Sequence, residues 1–304
     1  MRLPNLPPRP LIADTHKDKP NADLLPSSMA SAPDITNPGV LTMFPYKLIV
    51  PFLGATAMAT AVAQGGGSGS PADTTTVVLV HGAFADSTSW NGVVPQLQAR
   101  GLRVVSVANP LRTLRGDADY LGQLVDSVPG RVVLVGHSYG GAVITNAATG
   151  RKNVKALVYV AAFVPDSGET ALELAGKFPG GTLGEALDKP VMLGDRDKDL
   201  YIQQAKFHQQ FAADVPKASA ALMAASQRPI AEAALTQASG APAWKTVPSW
   251  SIYGTADKNI PPAAMRFMSE RAGARKVVVV KGASHVVMVS HPEKVAELIA
   301  EAAQ

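Results

Sequence analysis

The strongest constraint on the fold is a regular alternation, beginning at Thr75, of short β-branched apolar runs with longer segments of helical period. This alternation is typical of a parallel sheet covered by helices on both faces. The runs contain almost only Val, Leu and Ile, as strands buried on both faces do. We predict strands at 76–81, 103–108, 131–136, 154–161, 250–254 and 276–280. The sequence therefore predicts an α/β fold built on a mostly parallel sheet of about six strands.

The connecting segments agree with this interpretation. Between the first two runs, apolar residues recur at i, i+3, i+4 and i+7 from Trp90 to Leu97, and Gly101 follows where a helix end favours glycine. Near the chain end, Pro292 suits a first helical turn and precedes an apolar stripe. Both segments are predicted to be amphipathic helices.

The alternation breaks between about 164 and 247, which we call the cap insertion. Helical stretches occur there at 200–213 and 218–225, and we find no convincing strand. A helical cap over the sheet is therefore expected. Some of its apolar side chains should line a pocket, although most should be ordinary core. The candidates are Phe178, Phe207, Phe211, Leu222 and Met223.

Composition narrows the class of protein. The chain is 46% hydrophobic and 17% charged, which suits a folded enzyme-sized domain. Lys and Arg exceed Asp and Glu by only 28 to 24 without a dense basic cluster, so no nucleic-acid partner is expected. The absence of cysteine excludes disulfides, thiolate metal sites and a cysteine nucleophile. We predict a small-molecule substrate and neither cofactor nor metal, and the oligomeric state stays open.

The first seventy or so residues differ from the rest. Residues 1–42 hold eight prolines and no sustained periodicity, which predicts a disordered extension. Residues 43–63 have a short positive start, an apolar run and a small-x-small pattern at 61–63, which predicts a signal peptide. Residues 64–74 have the composition of a flexible linker, so the folded domain is expected at 75–304.

The apolar run at 48–62 has two further interpretations, a permanent anchor or a buried core helix. It is shorter than the roughly 20 residues that span a bilayer, so we expect no stable anchor. Because signal peptides begin at a chain start, Met43 is a candidate for the true initiator. Secretion or periplasmic export is then expected, and a cytoplasmic location if the segment is not processed.

A candidate nucleophile follows the third predicted strand directly. Residues 136–141 read Gly-His-Ser-Tyr-Gly-Gly and run into a helix-compatible segment, which is G-x-S-x-G in a strand-turn-helix setting. Such a turn presents the hydroxyl of Ser138 above the sheet, and the next amide, on Tyr139, faces a developing oxyanion. The alternative is a glycine-rich turn with an incidental serine.

A serine hydroxyl needs a base and the base needs a carboxylate. Of six histidines, His285 follows the last strand at the sheet edge expected to hold Ser138. The fold's chain order of Ser, acid and His favours Asp257, just past the fifth strand. Asp166, after the fourth strand, is the rival acid, and a turn or capping role for Asp257 is the other alternative.

A second oxyanion donor is expected from the loop after the first strand. Gly82 permits a tight turn there, which favours the amide of Ala83. Phe84 is the alternative, since a shift of one residue in the turn would exchange the two.

Taken together, the segments at 81–83, 136–141, 254–257 and 282–285 resemble the α/β-hydrolase superfamily over about residues 75–304. More narrowly, they resemble the branch that holds plant methylesterases, hydroxynitrile lyases and small bacterial esterases. In that branch the residue after His-Gly and the residue after the nucleophile donate the oxyanion amides. The resemblance therefore implies Ala83 and Tyr139 for these roles.

Departures from relatives refine the expected reaction. Dehalogenases and epoxide hydrolases of this fold carry Asp at the elbow, whereas this chain carries Ser138. Hydroxynitrile lyases typically place Lys after the catalytic His, and Val286 stands there. We therefore expect a carboxylesterase acting on a small or medium ester. Lyase, thioesterase or perhydrolase activity on the same triad, or a non-catalytic ligand-binding hydrolase fold, remain the alternatives.

Overall fold

The computed structural model describes residues 74–194 and 197–304. The predicted disordered extension at 1–42, the predicted signal peptide at 43–63 and all but the last residue of the predicted linker lie outside the described residues. Within the described ranges, no helix has the length and apolar character needed to cross a membrane.

All six predicted strands are present, and their ends differ from the predicted ones by one residue at most. The strands are β1 (Thr75–Val80), β2 (Arg103–Val107), β3 (Arg131–His137), β4 (Val154–Val160), β5 (Val191–Leu193), β6 (Asp197–Leu200), β7 (Ile230–Ala231), β8 (Ser249–Gly254) and β9 (Lys276–Val280). Six of them form a parallel sheet in the order β2-β1-β3-β4-β8-β9.

Burial of the strands on both faces is confirmed for the inner strands and wrong for the two edges. In β1 and β3 every residue after the first is buried. In β9 at the edge, Val277 and Val279 are 39% and 51% exposed. Edge strands keep the apolar composition of the sheet while only one side of each has a neighbouring strand.

The helices follow the strands as the alternation predicts. They are α1 (Val94–Gln98), α2 (Leu114–Ser127), α3 (Tyr139–Ala147), α4 (Ala171–Gly176), α5 (Leu183–Ala186), α6 (Gln204–Phe211), α7 (Lys217–Ser226), α8 (Glu232–Thr236), α9 (Pro262–Arg271), α10 (Val287–Ser290) and α11 (Pro292–Ala302). The last predicted helix is confirmed. The first is shorter than predicted, because the segment splits into a 3-10 turn at Ser87–Trp90 and the short α1.

Sheet order determines where the helices lie. The chain passes from β1 to β2 in one direction and then returns past β1 to β3 and β4. Since such crossovers are right-handed, α1 covers one face of the sheet and α2 and α3 cover the other. The direction reverses between β1 and β3, and in open α/β sheets ligands bind outside the carboxyl ends of the strands at such a point.

The expectation of a purely helical cap is wrong. The cap insertion contains a second, antiparallel sheet in the order β5-β6-β7. The stretch predicted as helical from residue 200 begins as a helix only at Gln204, since Leu200 belongs to β6. The predicted helix at 218–225 is present as α7. The missed strands are two to four residues long and partly polar, too short for a periodic signal.

Candidate active site

Ser138 occupies a strained turn between β3 and α3. Its backbone has φ 54° and ψ −123°, a region that non-glycine residues seldom adopt. The surrounding backbone holds it there: its amide donates to the Val160 carbonyl at 3.2 Å, and its carbonyl accepts from the amides of Gly141 at 3.0 Å and Phe163 at 3.1 Å. The sharp turn between strand and helix predicted at 136–141 is therefore present.

Glycines around this turn are required by close backbone approach. A Cβ on Gly82 would lie 2.5 Å from the Ser138 Cβ. A Cβ on Gly136 would lie 2.5 Å from the Gly140 carbonyl oxygen, and one on Gly140 would lie 2.6 Å from the Val80 oxygen. Since real side chains do not approach so closely, these loops pack backbone against backbone, and the position of Ser138 depends on that packing.

His285 and Asp257 form a fully buried pair. The imidazole Nδ1 lies 2.6 Å from Asp257 Oδ2, and both side chains are 1% exposed or less. The other carboxylate oxygen accepts the amides of Asn259 at 2.8 Å and Ile260 at 3.0 Å. An ionised carboxylate only accepts hydrogen bonds, so this arrangement assigns the proton to His285 Nδ1 and leaves Nε2 as the acceptor.

The rival acid is not at this site. Asp166 accepts a hydrogen bond from Lys245 Nζ at 2.7 Å, and this surface ion pair lowers its pKa. Asp257 is the acid that the structure brings to His285. Asp257 also accepts the turn amides of Asn259 and Ile260, which is the turn role given above as the alternative. The same side chain therefore contacts His285 and holds the turn.

Ser138 and His285 line one small cavity together with Ala83 and Tyr139. Within the described residues, the amides of Ala83 and Tyr139 have no hydrogen-bond acceptor. The amide of Phe84, the alternative donor, is bound to the Arg228 carbonyl at 2.9 Å. Ala83 and Tyr139 are thus the two predicted residues whose amides are available to an oxyanion.

A buried histidine supports the loop that carries Ala83. His81 Nδ1 donates to the Gly82 carbonyl at 2.9 Å, and its Nε2 accepts the Asn109 amide at 3.0 Å. This pattern requires the neutral ring, and burial lowers the pKa of His81 to about 4. These contacts hold the loop that carries Ala83 against the segment at Asn109.

His137 lies behind the imidazole of His285. Its Nε2 donates to the His285 carbonyl at 3.2 Å, and the two rings have centroids 4.8 Å apart. Burial, and secondarily the neighbouring His285, hold the pKa of His137 well below its usual range. A neutral ring at this position supports the His285 loop without adding a charge beside it.

The hydrogen bond that holds the Tyr139 side chain was not predicted from the sequence. Its phenol donates to Asp117 Oδ2 at 2.8 Å, and burial raises the pKa of both groups. Asp117 also accepts the Arg112 amide through both carboxylate oxygens, at 3.2 Å each. The available signal was an aspartate on the apolar face of α2. This contact fixes the side chain of the residue whose amide faces the cavity.

The cap insertion closes the cavity with apolar side chains, among them Phe211, Leu172 and Leu235. The Phe211 ring packs on the imidazole of His285 with centroids 5.1 Å apart. Of the other predicted candidates, Phe207 packs behind Phe211, Phe178 packs on Phe267, and Leu222 and Met223 line a different groove. Phe211 is the only one of the five predicted cap residues that reaches the cavity.

A further contact joins the cap to the loop of the imidazole. Ser284, which precedes His285, donates to Asp214 Oδ1 in the segment between α6 and α7. His291 Nδ1 lies 3.7 Å from the other oxygen of Asp214.

In residues 74–194 and 197–304, no group of three or more histidine and carboxylate side chains is placed to hold a metal ion.

A serine in a strained elbow, a buried histidine–carboxylate pair and two open amides define the class of esterase-like serine hydrolases. The alpha/beta hydrolase family model matches residues 77–298, and the chain belongs to this family. Its relatives include an alpha-hydroxynitrile lyase and methylesterase 2 of Arabidopsis thaliana, which belong to the branch that the sequence resembles. The predicted fold and resemblance are thereby confirmed.

Curated relatives and solved structures span the whole domain. A pyrethroid hydrolase of Sphingobium wenxiniae is 29% identical over 75% of this chain and 87% of its own. Norfluorocurarine synthase 2 of Strychnos sp. is 27% identical over 74% of this chain and 93% of its own. The crystal structure of polyneuridine aldehyde esterase superposes with a TM-score of 0.67 at 22% identity, over 76% of this chain and all of that one. The last likeness shows the fold alone.

Proposed function

We propose that this protein is a carboxylesterase that cleaves a small or medium ester through an acyl-enzyme on Ser138. The observation that carries the proposal is the buried pair of His285 and Asp257, of which His285 lines the same cavity as the strained Ser138. A carboxylate on Nδ1 keeps Nε2 free to accept a proton, as general-base catalysis on a serine requires.

In the acylation step, His285 Nε2 takes the proton from the Ser138 hydroxyl while the oxygen bonds to the ester carbonyl carbon. The carbonyl oxygen becomes an oxyanion that accepts the amides of Ala83 and Tyr139. Collapse of this intermediate breaks the bond to the alkoxy oxygen, which leaves as the alcohol with the proton from His285. The acyl group stays on Ser138.

In the deacylation step, a water molecule gives a proton to His285 Nε2 and attacks the acyl carbonyl. The same two amides hold the second oxyanion. Its collapse breaks the bond to Ser138, whose oxygen takes the proton back, and releases the carboxylic acid. Asp257 stabilises the imidazolium in both steps and does not change its own protonation.

Three observations favour hydrolysis over the alternative reactions of this fold. Val286 stands where hydroxynitrile lyases typically carry Lys, and it is fully buried. The cavity is lined mainly by apolar side chains, as suits an uncharged ester. The relative from Sphingobium wenxiniae, which is 29% identical to this chain, is named as a hydrolase.

The test combines a fluorophosphonate probe with p-nitrophenyl acetate and butyrate on the purified chain. We expect stoichiometric labelling and turnover, and Ser138→Ala should lower kcat by about 10⁴- to 10⁶-fold in folded protein. Ser167→Ala, at an exposed serine, is the matched control and should keep both labelling and turnover.

Turnover by Ser138→Ala equal to that of the unsubstituted chain would refute the role of the serine. Folded protein with neither labelling nor turnover would favour a non-catalytic ligand-binding use of the fold. Labelling without ester turnover would favour a lyase, thioesterase or perhydrolase reaction on the same residues.

A further inference from the structure

The catalytic cavity is much smaller than an ordinary small-molecule site. Its volume is about 70 Å³, and Ser138 and His285 line it together with mostly apolar side chains. Sites for drug-sized ligands hold roughly 300–1,000 Å³. Only a short group beside the reacting carbonyl fits within such walls.

A second cavity of about 380 Å³ shares one lining residue with the catalytic cavity. We call it the outer groove. It lies between the loop after β1 and helix α7 of the cap insertion, with Val289 of α10 completing it. Apolar side chains and hydroxyl groups share its lining. The lining residues are Phe84, Ala85, Asp86, Thr88, Ser89, Asn91, Ser219, Leu222, Met223, Ser226, Gln227 and Val289.

Phe84 is the only described residue that lines both spaces. It is 3% exposed, so its side chain fills the boundary between them.

The wall formed by Phe84 is held from two sides. Its backbone has φ 59°, which a bulky residue seldom adopts. Its amide is bound to the Arg228 carbonyl in the cap insertion, and its ring packs edge-on against Phe211 with centroids 6.2 Å apart. A strained conformation persists where its surroundings over-determine it, and such strain concentrates at functional sites.

We propose that Phe84 is the specificity-determining residue of this enzyme, restricting it to esters with a short group on the side that faces Phe84. The outer groove is the space that a longer alkyl or aryl group would occupy without that side chain. Its apolar wall of Ala85, Met223 and Val289 suits the body of such a group, and the hydroxyls of Thr88 and Ser219 suit a polar end. This inference rests on the proposed ester hydrolysis.

The experiment measures kcat/KM along two ester series, p-nitrophenyl acetate to octanoate and methyl to octyl acetate. The unsubstituted enzyme should prefer the short members. Phe84→Gly removes the wall, and glycine accepts the positive φ without strain. One methylene in an apolar pocket is worth about tenfold or more. We therefore compare kcat/KM for the longest ester of each series with kcat/KM for the shortest. In Phe84→Gly this ratio should rise at least tenfold in one series, and Phe84→Leu should give an intermediate ratio.

Two further variants show where the longer group lies. Ser219 is exposed and lines the outer groove, so Ser219→Trp on the Phe84→Gly background refills that space and should return the ratio to its original value. Phe178→Leu shortens a phenylalanine of the cap insertion that lines neither cavity, and the ratio should not move.

An unchanged ratio in both series, with acetate still hydrolysed by Phe84→Gly and Phe84→Leu, would overturn the role of Phe84. A raised ratio that survives Ser219→Trp would overturn the outer groove as the place of the longer group. Absence of turnover in the unsubstituted enzyme is a different result, since it contradicts the proposed function itself.

Discussion

At the carboxyl edge of the main sheet, neighbouring loops pack backbone against backbone, with Gly82 against the His137 carbonyl and Gly140 against the Val80 carbonyl. The cap insertion that covers them contains glycines such as Gly184 with no atom near the place of a side chain. It also presents most of the large apolar side chains that are exposed in the described residues, including Leu222 at 73% and Leu172 at 56%.

This contrast separates two requirements of a hydrolase. Acid, base and nucleophile must be held within a fraction of an ångström of their working positions, which close backbone packing provides. The cap insertion covers the cavity that would hold the proposed ester, and looser packing is sufficient for that. Substitutions at the sheet edge should therefore change kcat, whereas equivalent substitutions in the cap insertion should leave it alone.

The largest expected difference concerns the two acids. Asp257→Asn should lower kcat by about 10⁴-fold, because an amide can donate to His285 Nδ1 and so favours the wrong tautomer. Asp166→Asn removes only a surface ion pair with Lys245 and should leave kcat within about twofold. Steady-state hydrolysis of p-nitrophenyl acetate by both variants checks this, and equal losses would break the contrast between the two regions.

The two glycines give the next largest difference. Gly82→Ala forces a carbon against Ser138 and should lower kcat by about 10²-fold or more, since small displacements near the reacting atoms have such effects. It should also cost about 1–3 kcal/mol of unfolding free energy. Gly184→Ala meets open space and should change neither quantity. Steady-state kinetics and urea unfolding of the two variants test this. Unchanged kcat and unfolding free energy in Gly82→Ala would show that the loops can move apart to accept the added carbon.

The smallest expected effect concerns pH. His81 is buried as the neutral ring with its pKa lowered from 6.5 to about 4, so below pH 6.5 the unfolded chain binds a proton that the folded one does not. This contribution to stability is fully present above the unfolded pKa and is lost as pH falls toward 4. Between pH 7 and 5 the loss is on the order of 2 kcal/mol.

Urea unfolding at pH 7 and 5 measures this contribution. His81→Gln should reduce the loss of stability between the two pH values, whatever its effect at pH 7. An identical pH dependence in His81→Gln would show that His81 is not held neutral in the folded state.

The main sheet and the members of the site could be predicted because their signals are local. The strands are continuous runs of Val, Leu and Ile, and the candidate residues Ser138, Asp257 and His285 each follow a strand within a few positions. Parallel strands bring their carboxyl ends to one edge, so knowing the strands was enough to bring these residues together.

The features that could not be predicted depend on contacts between segments distant in sequence. Strands β5 to β7 are short, and β6 has two aspartates and a lysine, so pairing rather than composition creates them. The Arg228 carbonyl, more than a hundred residues away, binds the Phe84 amide and so favours Ala83 as the proposed oxyanion donor. No local pattern could show that Asp117 would meet the phenol of Tyr139.

The backbone contacts at Gly82, Gly136 and Gly140 also limit how such a chain can diverge over generations. Any coding change at these codons adds a carbon where another atom would lie only 2.5 to 2.6 Å away, so random libraries should lose active clones there. Mutations in the exposed parts of the cap meet no such barrier. Selection for a new ester can therefore act on Phe84 and the cap, while descendants inherit the hydrolytic chemistry unchanged.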